Sequence, residues 1–229
     1  MARRALPLRR SAAVTALLAL LGALPAAPAS PGPPRGHAST ASTSRWWKLD
    51  CDQGRPGAAT APPACLLRVR MQGRIDRSRL HLIEQALRRR DATARALGRD
   101  VSLEVDVDSR GGEVFAAMEI GRLLRRGRAS LAIGEGAWCV SACVFALMGA
   151  VEARVADGAR IGIHRPSLGE PDRDALVESM TGPLALYADE MRVSRALIAD
   201  MLEVPAGRIR LLRAPDFAGY GIAVSTPAR

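Results

Sequence analysis

The sequence predicts an α/β fold built on a largely parallel sheet with flanking helices. Three observations predict it. From Leu66 onward, strand-like and helix-like runs alternate. The connections between them are short, as parallel βαβ units require. The residues with chemical potential, Gly111-Gly112, Ser141 and His164, each follow a strand-like run, and functional groups of parallel sheets gather at the carboxyl ends of strands.

The elements follow in order. Leu66–Met71 alternates apolar and basic residues and reads as a strand. Asp76 is positioned to cap a helix reaching about Arg90, with Leu80, Ile83 and Leu87 on one face. Val101–Val107 alternates with period two and is a second strand, closed by the Gly111-Gly112 turn. Glu113–Arg126 is helical, with Val114, Met118, Ile120 and Leu124 inward. Ala129–Ile133 is a third strand and Gly134-Glu135-Gly136 a turn. Ser141–Gly149 reads as a buried apolar helix, and Arg154-Val155 and Ala159–Ile163 as short strands. Helices are expected over about 172–192 and 194–203, and a last helical turn over Pro215–Tyr220 before Ile222-Ala223-Val224.

The 229 residues give three regions: an export signal over 1–29, a Pro/Ala/Ser-rich linker and docking segment over 30–64, and one domain over 65–229. Arg3, Arg4, Arg9 and Arg10 form a basic leader, Ala12–Leu24 an apolar stretch too short to span a bilayer comfortably, and Ala27-Pro28-Ala29 a small-residue cleavage site. The expected location is periplasmic or secreted; the alternative is a membrane anchor through an uncleaved signal. In the linker, Trp46-Trp47 reads as a patch that packs on the domain surface. The core must be aliphatic, because only 3% of residues are aromatic. The net charge of +10 is almost entirely arginine, with Lys48 the sole lysine. These arginines are scattered, without aromatic interleaving or a nucleic-acid motif, so nucleic-acid binding is not expected.

Four cysteines in an exported chain make disulfides plausible. Cys51 and Cys65 bracket a Gly/Pro/Ala loop, and pairing them staples it to the domain. Cys139 and Cys143 flank Ser141. Two readings stand for them: a bridge, if the turn brings them together, or two buried thiols, because regular helix geometry aims their Cβ atoms poorly for bonding.

Ser141 taken alone reads as a helix N-cap, or as a nucleophile placed where free N–H groups stabilise developing negative charge. His164 reads as a structural histidine before Pro166, or as the base; His37 lies in the linker and His81 on a solvent-leaning helix. Gly111-Gly112 reads as a sharp turn, or as an oxyanion donor that a side chain would obstruct.

Order and spacing join these signals. Asp108-Ser109-Arg110-Gly111-Gly112, the Gly136–Ala142 turn around Ser141, Ile161-Gly162-Ile163-His164-Arg165-Pro166 and Ala214–Ile222 resemble the ClpP-type serine peptidases of the ClpP/crotonase superfamily. The resemblance covers about residues 66–224. The export signal and the Cys-Val-Ser-Ala-Cys setting resemble an exported branch of that group. It implies a spiral ClpP/crotonase-like fold, Ser141 as nucleophile, His164 as general base, and the N–H groups of Gly112 and Ala142 as the oxyanion hole. It implies no cofactor or metal, a peptide or acyl substrate, a possible homo-oligomer, and no ATPase partner outside the cytoplasm. One part is missing. Counting back from Tyr220-Gly221, the position of the family's acidic triad member is Ile209. Glu203 and Asp216 are nearby carboxylates, and Asp172 and Asp174 follow the histidine. The competing expectations are therefore a serine hydrolase, a ClpP-fold binding or scaffold protein with weak or no turnover, and a crotonase-type acyl-thioester enzyme that uses the two oxyanion donors without Ser141 and His164.

Overall fold

Two sheets organise the chain. In the computed structural model, residues 46–51, 65–167 and 174–226 are described. All of them belong to one unit, Thr43–Arg229. The leader, most of the linker, His37 and Asp172 lie outside the described residues.

Strand β1 (Trp47–Cys51) is followed by β2 (Cys65–Gln72), α1 (Arg77–Leu97), β3 (Val101–Asp108), α2 (Val114–Arg126), β4 (Ser130–Ile133) and β5 (Trp138–Val140). Then come α3 (Cys143–Gly149), β6 (Ala153–Val155), β7 (Arg160–Ile163), α4 (Asp174–Glu190), α5 (Ala196–Glu203), β8 (Arg210–Leu211), α6 (Ala214–Tyr220) and β9 (Val224–Ser225). The larger sheet has the order β1-β2-β3-β4-β6-β9, parallel throughout except for the antiparallel edge strand β1. The smaller sheet has the order β5-β7-β8, with β5 and β7 parallel and β8 antiparallel. The chain climbs by giving a strand to each sheet in turn: β4 then β5, β6 then β7. This is the expected α/β spiral with a mostly parallel sheet.

Local chemistry explains most element boundaries. On β2, Leu67, Val69 and Met71 are buried while Arg68 and Arg70 face outward, as alternation requires. Asp76 caps α1 by accepting from the Ser78 and Arg79 N–H groups at 2.9 and 3.2 Å. The helix runs past Arg90 to Leu97, because Ala92–Leu97 is rich in helix-forming residues, and it stops at Gly98 in the left-handed region at φ 61°. Segment 46–51, expected as a docking patch, adds strand β1. Its Cys51 stands directly opposite Cys65 and is bonded to it. Trp47 sits under the Arg89 guanidinium, 4.3 Å from the ring centre.

The core is aliphatic, as the composition demands, and α3 lies inside it with every residue from Cys143 to Gly149 buried. Helices α2 and α3 cross where both lack side chains: a Cβ on Gly149 would lie 2.1 Å from the Gly121 carbonyl oxygen. Tyr187 of α4 closes the layer, its hydroxyl donating 2.6 Å to the Phe145 carbonyl. Burial pushes the Tyr187 phenol far up, so it stays a neutral donor. On the larger sheet Glu104 is only 3% exposed, yet it is neutralised by Arg68 at 2.9 Å and by Arg154.

Because backbone, not a flexible side chain, blocks a methyl at Gly149, the Gly149→Ala variant is expected to lose about 1–3 kcal/mol of stability despite the better helix propensity of alanine. A chemical-denaturation midpoint equal to or above that of the parent would show that the helix crossing is not tight.

Candidate active site

The site begins with hydrogen bonds that tie the two sheets together. At the end of β3, the Ser109 N–H donates to the Trp138 carbonyl at 2.7 Å, and the Val140 N–H donates to the Ser109 carbonyl at 3.1 Å. The Asp108 carboxylate accepts from the Trp138 N–H at 3.0 Å. Segment 108–112 is thereby fixed beside segment 138–142.

Ser109 then shapes the glycine turn. It is 1% exposed; its hydroxyl donates to the Gly73 carbonyl at 2.7 Å and accepts from the Gly111 N–H at 3.1 Å. The turn is also pinned to Ile75, whose N–H donates to Gly111 O and whose carbonyl accepts from the Glu113 N–H, both at 2.8 Å. These two bonds leave the Gly112 N–H outside the pairing. Both glycines have positive φ, 101° for Gly111 and 151° for Gly112. Neither position has room for a side chain: a Cβ on Gly112 would lie 2.0 Å from Ile75 O, and one on Gly111 would lie 2.7 Å from the Ser141 Cβ.

Ser141 is not an N-cap. Helix α3 begins two residues later at Cys143, and Ser141 occupies the turn before it with φ 57°. A left-handed non-glycine residue is uncommon and its conformation is strained by about 1–3 kcal/mol. The turn is held on both sides. The Ser141 N–H donates to the Gly162 carbonyl of β7 at 2.9 Å, and a Cys139–Cys143 disulfide spans the serine. The poor geometry expected for that pair assumed a helix; Cys139 instead lies in β5 and Cys143 in the first turn of α3, which lets the bridge close. Among the described residues, the Ser141 hydroxyl has no hydrogen-bond partner, and neither the Gly112 nor the Ala142 N–H has an acceptor.

His164 leaves β7 at the same end at which Ser141 leaves β5, and these strands are neighbours in parallel register, Val140 with Gly162. The imidazole is half-buried, and its Nδ1 lies 2.8 Å from the Arg165 carbonyl. A carbonyl only accepts, so Nδ1 carries a proton, and in the neutral ring this tautomer leaves Nε2 as the acceptor. No hydrogen bond joins Ser141 to His164. The structure thus sets Gly111 against Ser141 and Ala142, with Gly112 next to it in the turn, and brings the His164 strand alongside. His81, by contrast, is exposed on α1 beside Glu84.

The resemblance puts its acidic residue at position 209, just before β8. In the antiparallel β7–β8 pairing Gly162 faces Leu211 and Ile163 faces Arg210, and beyond β7 the Arg165 N–H donates to the Val204 carbonyl at 2.8 Å. Ile209 reaches over Gly162, where an added Cβ would lie 2.5 Å from the isoleucine Cγ2. Nearby carboxylates are engaged elsewhere. Asp216 accepts from the Arg213 N–H at 2.7 Å and lies 3.6 Å from Arg210. Asp200 pairs with Arg210 at 3.2 Å and accepts from the Tyr220 hydroxyl. Burial, reinforced by that bond, pushes the Tyr220 pKa up to about 12. Glu203 is exposed and has no ion pair among the described residues; the side chain of Asp174 lies outside them. Sequence reasoning missed Ser109, although a hydroxyl two residues before a glycine pair is a recognisable turn-bonding signal.

The described residues hold no cluster of three or more His, Cys, Asp or Glu suited to a metal ion, and no helix among them is long and apolar enough to cross a membrane.

No protein-family model and no curated protein matches the sequence. Solved structures do share its fold. A mutant of the 1510-N membrane-bound stomatin-specific protease superposes with a TM-score of 0.53 at 16% identity, over 69% of this chain and 78% of that one. Another mutant of that protease, in complex with a substrate peptide, gives 0.53 at 18% identity over 69% and 74%. ClpP1 from Listeria monocytogenes gives 0.53 at 16% identity over 70% and 92%. The chain therefore has the ClpP fold.

Two predictions follow from the bonds around the turn. Replacing Cys139 and Cys143 together by alanine frees a five-residue loop, and chain-entropy reasoning predicts a loss of about 2 kcal/mol, against about 3 kcal/mol for the Cys51 and Cys65 pair. Denaturant titration of the two double variants checks the order, and a larger loss at the shorter loop would contradict it. Ser109→Ala removes the hydroxyl that accepts from the buried Gly111 N–H and donates to the Gly73 carbonyl, and is expected to lower stability by about 1–3 kcal/mol. An unchanged denaturation midpoint would show that Ser109 does not brace the glycine turn.

Proposed function

We propose that this chain is an exported serine hydrolase, and specifically a peptidase. The observation that carries the reading is the strained Ser141, with an unengaged hydroxyl, flanked by the acceptor-free N–H groups of Gly112 and Ala142. Left-handed backbone at a non-glycine residue persists only where the surroundings impose it. Arg128 and Arg192 share it, and what sets Ser141 apart is the unengaged hydroxyl beside acceptor-free amides. A serine at a sharp strand-to-helix turn, with the next residue's amide free, is the arrangement acyl transfer needs.

In this reading Ser141 Oγ attacks a peptide carbonyl while His164 Nε2 takes its proton. The carbonyl oxygen becomes an oxyanion between the Gly112 and Ala142 N–H groups. Collapse of the tetrahedral species breaks the C–N bond, and His164 returns the proton to the leaving amine. Water, deprotonated by the same nitrogen, attacks the acyl-serine and releases Ser141. A rotation of either side chain must close the Ser141–His164 hydrogen bond first, which is common for catalytic pairs seen without substrate. The Arg165 carbonyl holds the imidazole in the tautomer this sequence needs. No cofactor enters these steps. The basic, apolar leader and the two disulfides support an oxidising, exported setting, where an ATPase partner is not expected. A homo-oligomer is proposed from the fold alone.

A second reading, a ClpP-fold binding or scaffold protein, draws on a specific observation: Ile209 occupies the position that the resemblance assigns to the acidic triad member, and the nearby Asp200 and Asp216 are engaged with Arg210, Tyr220 and the Arg213 N–H. The two readings part on a fluorophosphonate probe. The serine-hydrolase reading expects covalent labelling of the parent and none of Ser141→Ala; an unlabelled parent, or labelling that survives the substitution, rejects it.

The serine-hydrolase reading also predicts a gain. Losing the triad carboxylate lowers rate by about 10⁴ where it has been measured, so Ile209→Asp, which restores a carboxylate at the position the resemblance assigns to the acid, is expected to recover part of that, about tenfold or more in kcat/KM. Steady-state hydrolysis of an activated ester checks it, and a variant slower than the parent would contradict the assigned base.

A further inference from the structure

We propose that Arg110 and Arg160, stacked on Trp138, form a carboxylate-binding subsite that selects acidic peptides for the neighbouring serine site. The inference rests on the peptidase reading for its role but not for its existence.

Both guanidiniums lie over one indole, Arg110 at 4.2 Å and Arg160 at 4.8 Å from the ring centroid. The indole is half-buried and both arginines are exposed. Among the described residues neither guanidinium has a carboxylate partner, whereas Arg68, Arg122, Arg154 and Arg210 are all matched by acids. The carboxylate on the same segment, Asp108, is engaged by the Trp138 backbone N–H. Two like charges held on one ring repel each other, and stacking against a rigid ring limits their rotamers. An anion placed between or beside them relieves the repulsion and finds forked donors already ordered.

The subsite is aimed at the reaction centre by sequence and by register. Arg110 immediately precedes Gly111, which touches Ser141. Trp138 lies three residues before Ser141, and it pairs with Arg160 in the β5–β7 register. Side chains alternate along a strand, so Arg160, Gly162 and His164 fall on one face, and four residues of strand separate Arg160 from His164 by about 13 Å. An extended peptide covers that span in about four residues. The cleft therefore favours a carboxylate, from a Glu or Asp side chain or from a free C-terminus, three to five residues from the bond that is cut.

The test uses the mature Ser141→Ala protein, which cannot turn over. Three capped decapeptides carry a neutral dye and differ only in having one Glu, one Gln, or Gln with a free C-terminal carboxylate. Anisotropy at low salt is expected to show at least one carboxylate peptide binding about fivefold tighter than the amidated Gln peptide, with the advantage shrinking as salt screens the charges. A Glu preference identifies an internal acid, and a free-carboxylate preference a chain end. In Arg110→Gln/Arg160→Gln the preference is expected to fall below twofold, with the circular dichroism spectrum unchanged. Lysine at both positions, which keeps charge but loses the forked donors, is expected to retain part of it. Equal binding of all three peptides, no binding of any, or a preference that survives removal of both arginines overturns the proposal. Failure of fluorophosphonate labelling would instead overturn the serine-hydrolase reading and leave this binding result standing.

Discussion

The close approach of Gly111 to Ser141 is the constraint on which the site depends. A methyl group at residue 111 would overlap the Ser141 side chain and its flanking backbone, the Val140 carbonyl and the Ala142 N–H. Three backbone and side-chain hydrogen bonds from 108–109 to 138–140 set that approach, and they are also what joins the end of the larger sheet to the smaller one. The same contacts that stabilise the fold therefore position the serine. This coupling is why the strained turn persists: its surroundings over-determine it. The disulfide across Ser141 and the bond from its N–H to Gly162 act in the same direction.

Deeper in the molecule, the packing serves the same end. Helix α3 carries the polypeptide away from Ser141 and is wholly buried, so its position fixes where the turn begins. It is held by the side-chain-free crossing with α2 and by the Tyr187 hydroxyl on the Phe145 carbonyl. A buried phenol is tolerated only because that bond replaces water. The arginine-rich composition is absorbed differently. Part of it lies in ion pairs, among them the buried Glu104 held between Arg68 and Arg154.

How much of this was legible in the sequence depends on element length and period. The strands β2 and β3, eight residues each, and the amphipathic helices α1 and α2 show their period clearly. Of the inward residues named on the helices, Ile83, Met118, Ile120 and Leu124 are buried, and Leu80, Leu87 and Val114 pack against the core partly exposed. The buried Ala86, Ala116, Ala117 and Gly121 escape the pattern because small residues give little contrast. Strands β5 and β8, three and two residues long, are shorter than any window in which alternation can be recognised. Strand β1 was hidden because Trp47–Cys51 mixes aromatic, charged and apolar residues without contrast between its faces. Missing β5 had a consequence. It let the helix seem to begin at Ser141, which made the serine resemble a cap and the Cys139–Cys143 bridge seem geometrically awkward. The glycine pair, the serine and the histidine were legible because their residue types and spacing carry the information; the left-handed conformation of Ser141 was not, since it arises from tertiary bonds.

The position of Ile209 bears most directly on chemistry. A triad carboxylate does two things: it fixes the tautomer of the base, and it stabilises the imidazolium formed when the serine proton is taken. The Arg165 carbonyl can do the first, because it accepts from Nδ1 as a carboxylate would. It does the second only weakly, since a neutral dipole attracts a developing cation far less than a full charge does. In the proposed reaction the Gly112 and Ala142 amides are indifferent to an isoleucine at position 209, because there they would act on the oxyanion and not on the base. The expected division is then a site whose oxyanion stabilisation is intact and whose proton transfer is impaired. Such a site would react with good acyl donors, whose leaving groups need little help from an acid, more readily than with ordinary amides. That division separates a weakened hydrolase from a pure binding protein, which would show no preference tied to leaving-group basicity.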